Sequence, residues 1–433
     1  MTNPPFPRVL LLTNNKIYPY MAGGAILTSL FHKFPREQLF CVHAEAIEGT
    51  TDYRQHRLQA RALRPRLVPL LRLLWQVSRQ LLQAPLLFSN REWKLLLIQA
   101  CQFRLPRRVD EEIRRFAPDV IYAWTGDAVW LRLLEDCVQR YRVPYVIHFM
   151  DNQVELRGET AVQRAVYKEF QRNVPKAIEG ASRMFTISAA MGLAYQNKFG
   201  KPFEVFHNLM DATCWPWPAP ASPSDVFSIV FTGSIESGQV NGLRDVAAAV
   251  ERLSEHGHRI RLVLYVSEAY ERRVRSSFDM FPHVQFVRHP ELSALRAALT
   301  NADLLVLAYG FDQACVEYYR YSFATKTVPY MLSGRCILAY GPPGIEPIGY
   351  LLRGGWAYVV GQEGAEALES AITRLMNAPE ERNGFARAAH PAACTEHDLE
   401  INSSRFFASM REVAAAGPMR PRRNPCSSAP REQ

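Results

Sequence analysis

Ser322, Thr325 and Lys326 lie within five residues of one another, a grouping suited to holding an anion. Ser322 or Thr325 is expected to open a helix over about Thr325–Leu332, and Gly334 to end it before the next strand. Lys326 then falls in the first turn, where a cation opposes the helix dipole and needs an anion beside it or exposure to solvent. A pyrophosphate held between the helix start and Lys326 resolves that conflict. Earlier, Gly233 and Ser234 follow a β-rich run and precede a helical pattern, so their backbone and hydroxyl are placed to meet phosphate. Gly23 and Gly24 occupy the matching place in the first half, ahead of a helix from about Ala25, and either allow close approach of a ligand or simply make a turn. His148 and Asp151 end another β-rich run. His148 can donate to a sugar hydroxyl or phosphate and Asp151 can take a proton from an attacking hydroxyl. The alternative makes His148 a satisfied interior histidine and Asp151 a cap for the following segment.

The elements that must position these residues alternate in a βαβ pattern, which implies an α/β fold with parallel sheets. Strands are expected at Val9–Thr13, Leu39–His43, Val120–Trp124, Tyr145–Phe149, Met184–Ile187 and Glu204–Phe206. Four prolines among residues 215–224 then read as a linker. The alternation resumes with strands at Ile229–Thr232, Leu262–Val266, Val284–Val287, Leu304–Ala308, Cys336–Tyr340 and Ala357–Val360. The expected division is a first domain over 1–214 with an insertion at 50–108, the linker 215–224, and a second domain over 225–395. A helix over 396–412 and a disordered tail over 413–433 complete it.

The length of 433 residues accommodates two full cores, and 48% hydrophobic against 21% charged residues excludes a wholly disordered or collagen-like chain. Eight cysteines at 41, 101, 137, 214, 315, 336, 394 and 426 form no C-x-x-C pair, which disfavours a zinc site or a secreted disulfide framework. No leader or membrane span is expected, because the N-terminal apolar run is short and Arg72 and Arg79 break the best candidate span. A cytoplasmic protein follows from this reading. The formal charge is +9, yet residues 54–108 hold twelve Lys or Arg and one acid, Glu92, so this stretch exceeds the excess of the whole chain. Arg54, Arg57, Arg61 and Arg64 are spaced for one cationic stripe on a helix, followed by a Leu-rich run with Arg72, Trp75 and Arg79. Together they resemble an interfacial amphipathic hairpin, against the alternative of a solvated insertion packed on the domain. No aromatic-interleaved basic groove supports nucleic acid.

The run Ser322-x-x-Thr325-Lys326-x-x-x-Tyr330-x-x-x-Gly334-Arg335 resembles a motif of GT-B glycosyltransferases of the GT4/GT1-like group. Pro118 to Tyr122, Ser188, His207 to Asp211 and the Tyr18 to Gly24 loop resemble that group's other landmarks, in the same order, over roughly residues 8–411. The resemblance implies two Rossmann-like domains facing across a cleft, with the terminal helix crossing back to the first. It also implies a nucleotide-sugar donor on the second domain, an acceptor on the first, no metal, and no cofactor beyond the donor, which is a substrate. No D-x-D pair occurs in the sequence. Gly23, Gly24, Gly233, Ser234, Ser322, Thr325 and Lys326 would then bind the donor, and His148 and Asp151 would face the reacting groups. By the same resemblance the enzyme is a retaining hexosyltransferase of cell-surface polysaccharide synthesis. It would act on a lipid-linked or glycan acceptor at the inner face of the plasma membrane, with the basic segment on anionic lipid.

Departures from the motif are specific. The two family glutamates of an E-x7-E pair fall at Tyr321 and Pro329, and an Arg/Lys pair after the Gly233 turn is replaced by Glu236 and Gln239. A degenerate GT-B scaffold for an active partner is therefore a second reading, and a GT-B nucleotide-sugar epimerase a third. The sequence leaves the oligomeric state open.

Overall fold

The computed structural model describes residues 6–17, 22–44, 53–58, 61–62, 101–124, 126–218, 225–288 and 292–417. The first half begins β1 (Val9–Thr13), α1 (Ala22–Leu30), β2 (Leu39–His43), β3 (Arg54–Arg57), β4 (Arg61–Ala62) and β5 (Cys101–Gln102). It continues α2 (Arg107–Phe116), β6 (Val120–Trp124), α3 (Ala128–Tyr141), β7 (Tyr145–Phe149), α4 (Ala161–Gly180), β8 (Arg183–Thr186), α5 (Ala189–Phe199) and β9 (Glu204–Val205). The second half begins β10 (Phe227–Thr232), α6 (Ser237–Glu255), β11 (Ile260–Val266), α7 (Glu268–Val274), β12 (Val284–Arg288), α8 (Leu292–Thr300) and β13 (Leu304–Ala308). After these come α9 (Gln313–Tyr319), α10 (Thr327–Leu332), β14 (Ile337–Tyr340), α11 (Glu346–Gly354), β15 (Tyr358–Val360), α12 (Ala365–Asn377), α13 (Pro379–Glu396) and α14 (Leu399–Ala415).

Strands such as β1, β2 and β13 are buried along their whole length, as a parallel sheet covered on both faces requires. Seven strands make one parallel sheet in the order β3-β2-β1-β6-β7-β8-β9, and six make another in the order β12-β11-β10-β13-β14-β15. In each sheet the chain reverses its direction of travel beside the first strand, between β1 and β6 and between β10 and β13. Such switch points open a crevice outside the carboxyl ends of the strands. The expected architecture of two Rossmann-like parallel-sheet units is therefore observed.

The last helix returns to the first sheet. Phe406 of α14 is fully buried, with ring centroids 5.0 Å from Phe31, 5.8 Å from Tyr122 and 5.3 Å from Phe206. This helix starts at Leu399 rather than 396, after a break from α13, and runs to Ala415 with Val413 buried, so the expected disordered tail does not begin at 413. The backbone explains the break: Met210 N–H donates to the His397 carbonyl at 3.0 Å and Leu399 N–H to the Met210 carbonyl at 3.1 Å. Those groups bond across the molecule instead of along a helix, and Asp398 then caps α14 through the Ile401 N–H at 2.7 Å.

One expectation fails outright. Arg54 and Arg57 lie on the edge strand β3, not on a helix, so the spacing that would align them with Arg61 and Arg64 has no effect. Alternation along the strand sends Arg54 over the rings of Phe40 and Phe116, at 5.8 and 5.9 Å, and His56 onto Glu112 at 2.8 Å. Arg61 belongs to β4, paired with β5. Arg64, Arg72, Trp75 and Arg79 lie outside the described residues, as do residues 219–224 of the linker and 418–433 of the tail. Among the described residues, no helix is long and apolar enough to cross a membrane.

Candidate functional site

At the second switch point, β10 ends in Thr232 and the chain turns through Gly233, whose φ of +97° suits glycine alone. The same strand end is held by α10, because the Thr232 N–H donates to the buried Tyr330 hydroxyl at 2.8 Å. Just before α10, Lys326 reaches back to this turn. Its Nζ donates to the Ser234 carbonyl at 3.1 Å and stands 4.2 Å from the centre of the Phe231 ring. Lys326 is the cap residue of α10 rather than a first-turn residue, one or two positions off the expectation. Burial of the ammonium pushes its pKa down to about 7, with Glu236 acting against that shift.

Across the cleft, Asp151 follows β7 and is only partly exposed. Burial pushes its carboxyl up to about 6; the Gln153 amide, 3.5 Å away, favours ionisation and the charge of Glu236 opposes it. Asp151 and Lys326 thus both feel Glu236, which places a carboxylate from the first half and a cation from the second about one turn. Asp151 starts no helix, so its capping alternative is not what is seen.

His148 is a correction. It is fully buried, its Nδ1 lies 2.7 Å from the Tyr122 hydroxyl and its Nε2 lies 3.0 Å from the Phe206 carbonyl. Both ring nitrogens are occupied and burial lowers its pKa to about 3, so it cannot face a reacting sugar. On a strand buried on both faces, a histidine at the fourth position points into the core, and the satisfied interior reading holds.

The remaining donor-side residues divide. Gly23 and Gly24 lie inside the first turn of α1, which begins at Ala22, earlier than expected. A side chain at Gly23 would overlap Asn15 at 2.5 Å, so the loop after β1 packs directly on that turn. The Ser322 hydroxyl donates to the Tyr318 carbonyl at 3.0 Å, and the Thr325 carbonyl accepts from Asn208 at 3.0 Å. Glu236 and Gln239 shape the start of α6: the Glu236 N–H donates to Gln239 Oε1 at 3.3 Å, and the Tyr270 hydroxyl donates to Glu236 at 2.9 Å. Arg273 reaches Glu236 at 3.5 Å. Tyr270 and Arg273 come from α7, so only tertiary packing brings them here, and nothing in the local sequence pointed to them. Pro329 is the third residue of α10, where the N–H would have no partner within the helix, so proline is tolerated but offers no acceptor.

No protein-family model matches the chain, and no curated protein sequence matches it significantly. Solved structures do resemble it. A sucrose-phosphate synthase from Thermosynechococcus elongatus superposes with a TM-score of 0.67 at 13% identity, over 95% of this chain and 100% of that one. Anabaena HepE in complex with UDP-glucose gives 0.62 at 14% identity, over 93% and 99%. An Escherichia coli trehalose-6-phosphate structure bound with UDP-2-fluoro glucose gives 0.60 at 12%, over 93% and 99%. The chain has the GT-B fold. Within the GT-B frame, the Gly233 turn and Lys326 lie at the carboxyl edge of the second sheet, and Asp151 at that of the first.

Proposed function

We propose that this chain is a glycosyltransferase that moves a sugar from a nucleotide-sugar donor to an acceptor hydroxyl. The observation that carries the reading is Lys326, a desolvated cation resting on the Ser234 carbonyl beside a positive-φ glycine, at a sheet switch point. That arrangement supplies backbone N–H groups and a positive charge where a departing nucleoside diphosphate gathers negative charge. The HepE complexes with UDP and with UDP-glucose support a uridine diphosphate donor. In this reading Gly23, Gly24, Gly233, Ser234, Ser322, Thr325 and Lys326 form the donor side. Asp151 orients or deprotonates the acceptor hydroxyl; His148 has no direct role. Residues 1–214 form the acceptor domain and 225–395 the donor domain; the transfer is retaining, and neither metal nor cofactor takes part.

The acceptor we propose is lipid-linked or a glycan at an anionic membrane face, as in polysaccharide synthesis. With Arg54 and Arg57 on strand β3, membrane contact rests on Arg61, Arg64, Arg72, Trp75 and Arg79 and the leucines between them. A screen of nucleotide-sugars with the purified protein, reading nucleoside diphosphate release, tests the reaction. Release from no donor, with no binding of UDP or GDP, favours the second reading, a degenerate GT-B scaffold for an active partner. Glu236 at the start of α6 and Pro329 in α10 are the features that favour that alternative.

A further inference from the structure

A cavity of about 520 Å³ opens between the two halves, starting at Asn152, one residue past Asp151. Five cationic side chains line it: Arg157 from the loop after β7, Arg164 and Lys168 from α4, Lys198 from α5, and Arg320 just past α9. Two carboxylates share the wall, Glu155 and Glu317, and Lys198 pairs with Glu155 at 3.5 Å. Among the described residues, Arg157, Arg164, Lys168 and Arg320 form no ion pair with a carboxylate. Arg164 and Lys168 are four residues apart and share a helix face, so their charges repel unless an anion lies between them. The floor supplies a second signal. Asn152 is 1% exposed, its Nδ2 donates to the Glu317 carbonyl at 2.8 Å, and its buried Oδ1 has no hydrogen-bond partner. A buried amide oxygen without a partner costs free energy that a ligand hydroxyl can recover.

We propose that this cavity binds the phosphate of a phosphorylated acceptor. Arginine forks match phosphate oxygens in pairs, lysine adds point charge, and Asn152 Oδ1 accepts from a hydroxyl on the same ligand. Asn152, at the floor of the cavity, directly follows Asp151 in the chain, which sets the cavity on the acceptor side of the proposed site. The word acceptor rests on the transferase reading; phosphate binding in the cavity does not. The phosphate can belong to a soluble sugar phosphate or to a lipid headgroup.

The test is calorimetry on the full chain, pre-saturated with UDP, titrated with glucose 6-phosphate and separately sedimented with vesicles of phosphatidic acid in phosphatidylcholine. Saturable binding of either probe is expected, weakened at least about tenfold in Arg164→Glu/Lys168→Glu. UDP binding should stay unchanged in that variant, because neither residue touches the Gly233 turn. Both side chains are exposed, and Arg164→Gln/Lys168→Gln provides a milder variant that should weaken the same probe. Vesicle binding without sugar phosphate binding assigns the phosphate to lipid; the converse assigns it to a soluble acceptor. Unchanged probe affinity in both variants, or no binding of either probe to the wild-type chain, overturns the proposal. Phosphate binding by a chain that fails to bind UDP keeps the cavity and removes the transferase reading instead.

Discussion

At pH 8 most Lys326 side chains are neutral before a ligand arrives, because burial holds their pKa at about 7. A diphosphate placed beside Nζ favours the ammonium and lifts the pKa toward its ordinary value of 10.5. The free protein therefore binds fewer protons than the complex throughout the window between these values, and nucleotide binding must take up a proton there. Affinity is fully expressed below pH 7 and declines above it. With the free value at about 7 and the bound one well above 9, UDP should bind more weakly at pH 9 than at pH 7.5 by on the order of tenfold or more, roughly 2 kcal/mol. UDP is almost fully ionised across this range and the Asp151 carboxyl, at about 6, lies below it, so neither masks the effect. Calorimetry at pH 8 in buffers of different ionisation enthalpy measures the uptake directly, with about 0.9 proton expected. Lys326→Arg should retain much of the affinity and lose the pH dependence, since guanidinium stays charged. Lys326→Ala should lose both, at roughly 1.5–3 kcal/mol of binding. A UDP affinity constant within twofold from pH 7.5 to 9, with no proton uptake, would falsify the placement of Lys326 against the diphosphate.

The other consequences are separable. Asp151 must ionise to act on a hydroxyl, so kcat/KM should fall on the acid side near pH 6, and Asp151→Asn should lower turnover and remove that limb. Gly233→Ala meets only Lys326 Cε, at 3.6 Å, so its cost is backbone strain of roughly 1–2 kcal/mol, read as a lower melting temperature together with weaker UDP binding. His148 has its pKa lowered to about 3, so it stays neutral when folded and takes a proton when unfolded below about 6.5; stability is complete above that pH and lost on acidification. The loss due to this residue between pH 6.5 and 5 is on the order of 2 kcal/mol, measurable by urea unfolding, and His148→Gln should flatten the dependence. Phe406→Ala empties a fully buried site between α14 and the first sheet and should cost about 3–5 kcal/mol in the same assay; a change under 1 kcal/mol would contradict the packing of that helix.

Alternation of short apolar runs with helical patterns made both parallel sheets legible, because buried strands such as Leu304–Ala308 leave an unmistakable apolar block. What misled was the segment from Arg54. Spacings of three and four suit a helix, but the four residues of β3 pair with β2 in a register that tertiary contact alone sets. The site was legible in part. Gly233, Ser234 and Lys326 stand out in the sequence by type and order, and the structure brings Lys326 onto the Ser234 carbonyl beside the Gly233 turn; their donor role is the proposal made above. His148 was legible as a residue and not as a role, since the partners that silence it, Tyr122 and Phe206, lie 26 and 58 positions away. The cationic cavity was invisible for the same reason: its walls come from four separate segments.

Two of the resemblance's landmarks, Asn208 and Ser188, acquire a physical meaning in how the halves meet, and Asn152 joins them. Asn208 donates to the Thr325 carbonyl at 3.0 Å, and Ser188 donates to the Tyr321 carbonyl at 2.6 Å while its oxygen also accepts the Met191 N–H at 3.1 Å. Asn152, which follows β7, donates to the Glu317 carbonyl at 2.8 Å. All three donors are buried, sit after β7, β8 or β9, and end on backbone carbonyls between residues 317 and 325. That stretch leads directly into Lys326. The first sheet therefore fixes the approach of the second half's cation through partners that any residue can provide, which frees the side chains at 321 and 329 to vary. Replacing a family glutamate by Tyr321 or Pro329 leaves this clamp intact, because the clamp never used those side chains. The geometry that brings Lys326 to the Ser234 carbonyl is secured by Asn152, Ser188 and Asn208, whatever side chains stand at 321 and 329.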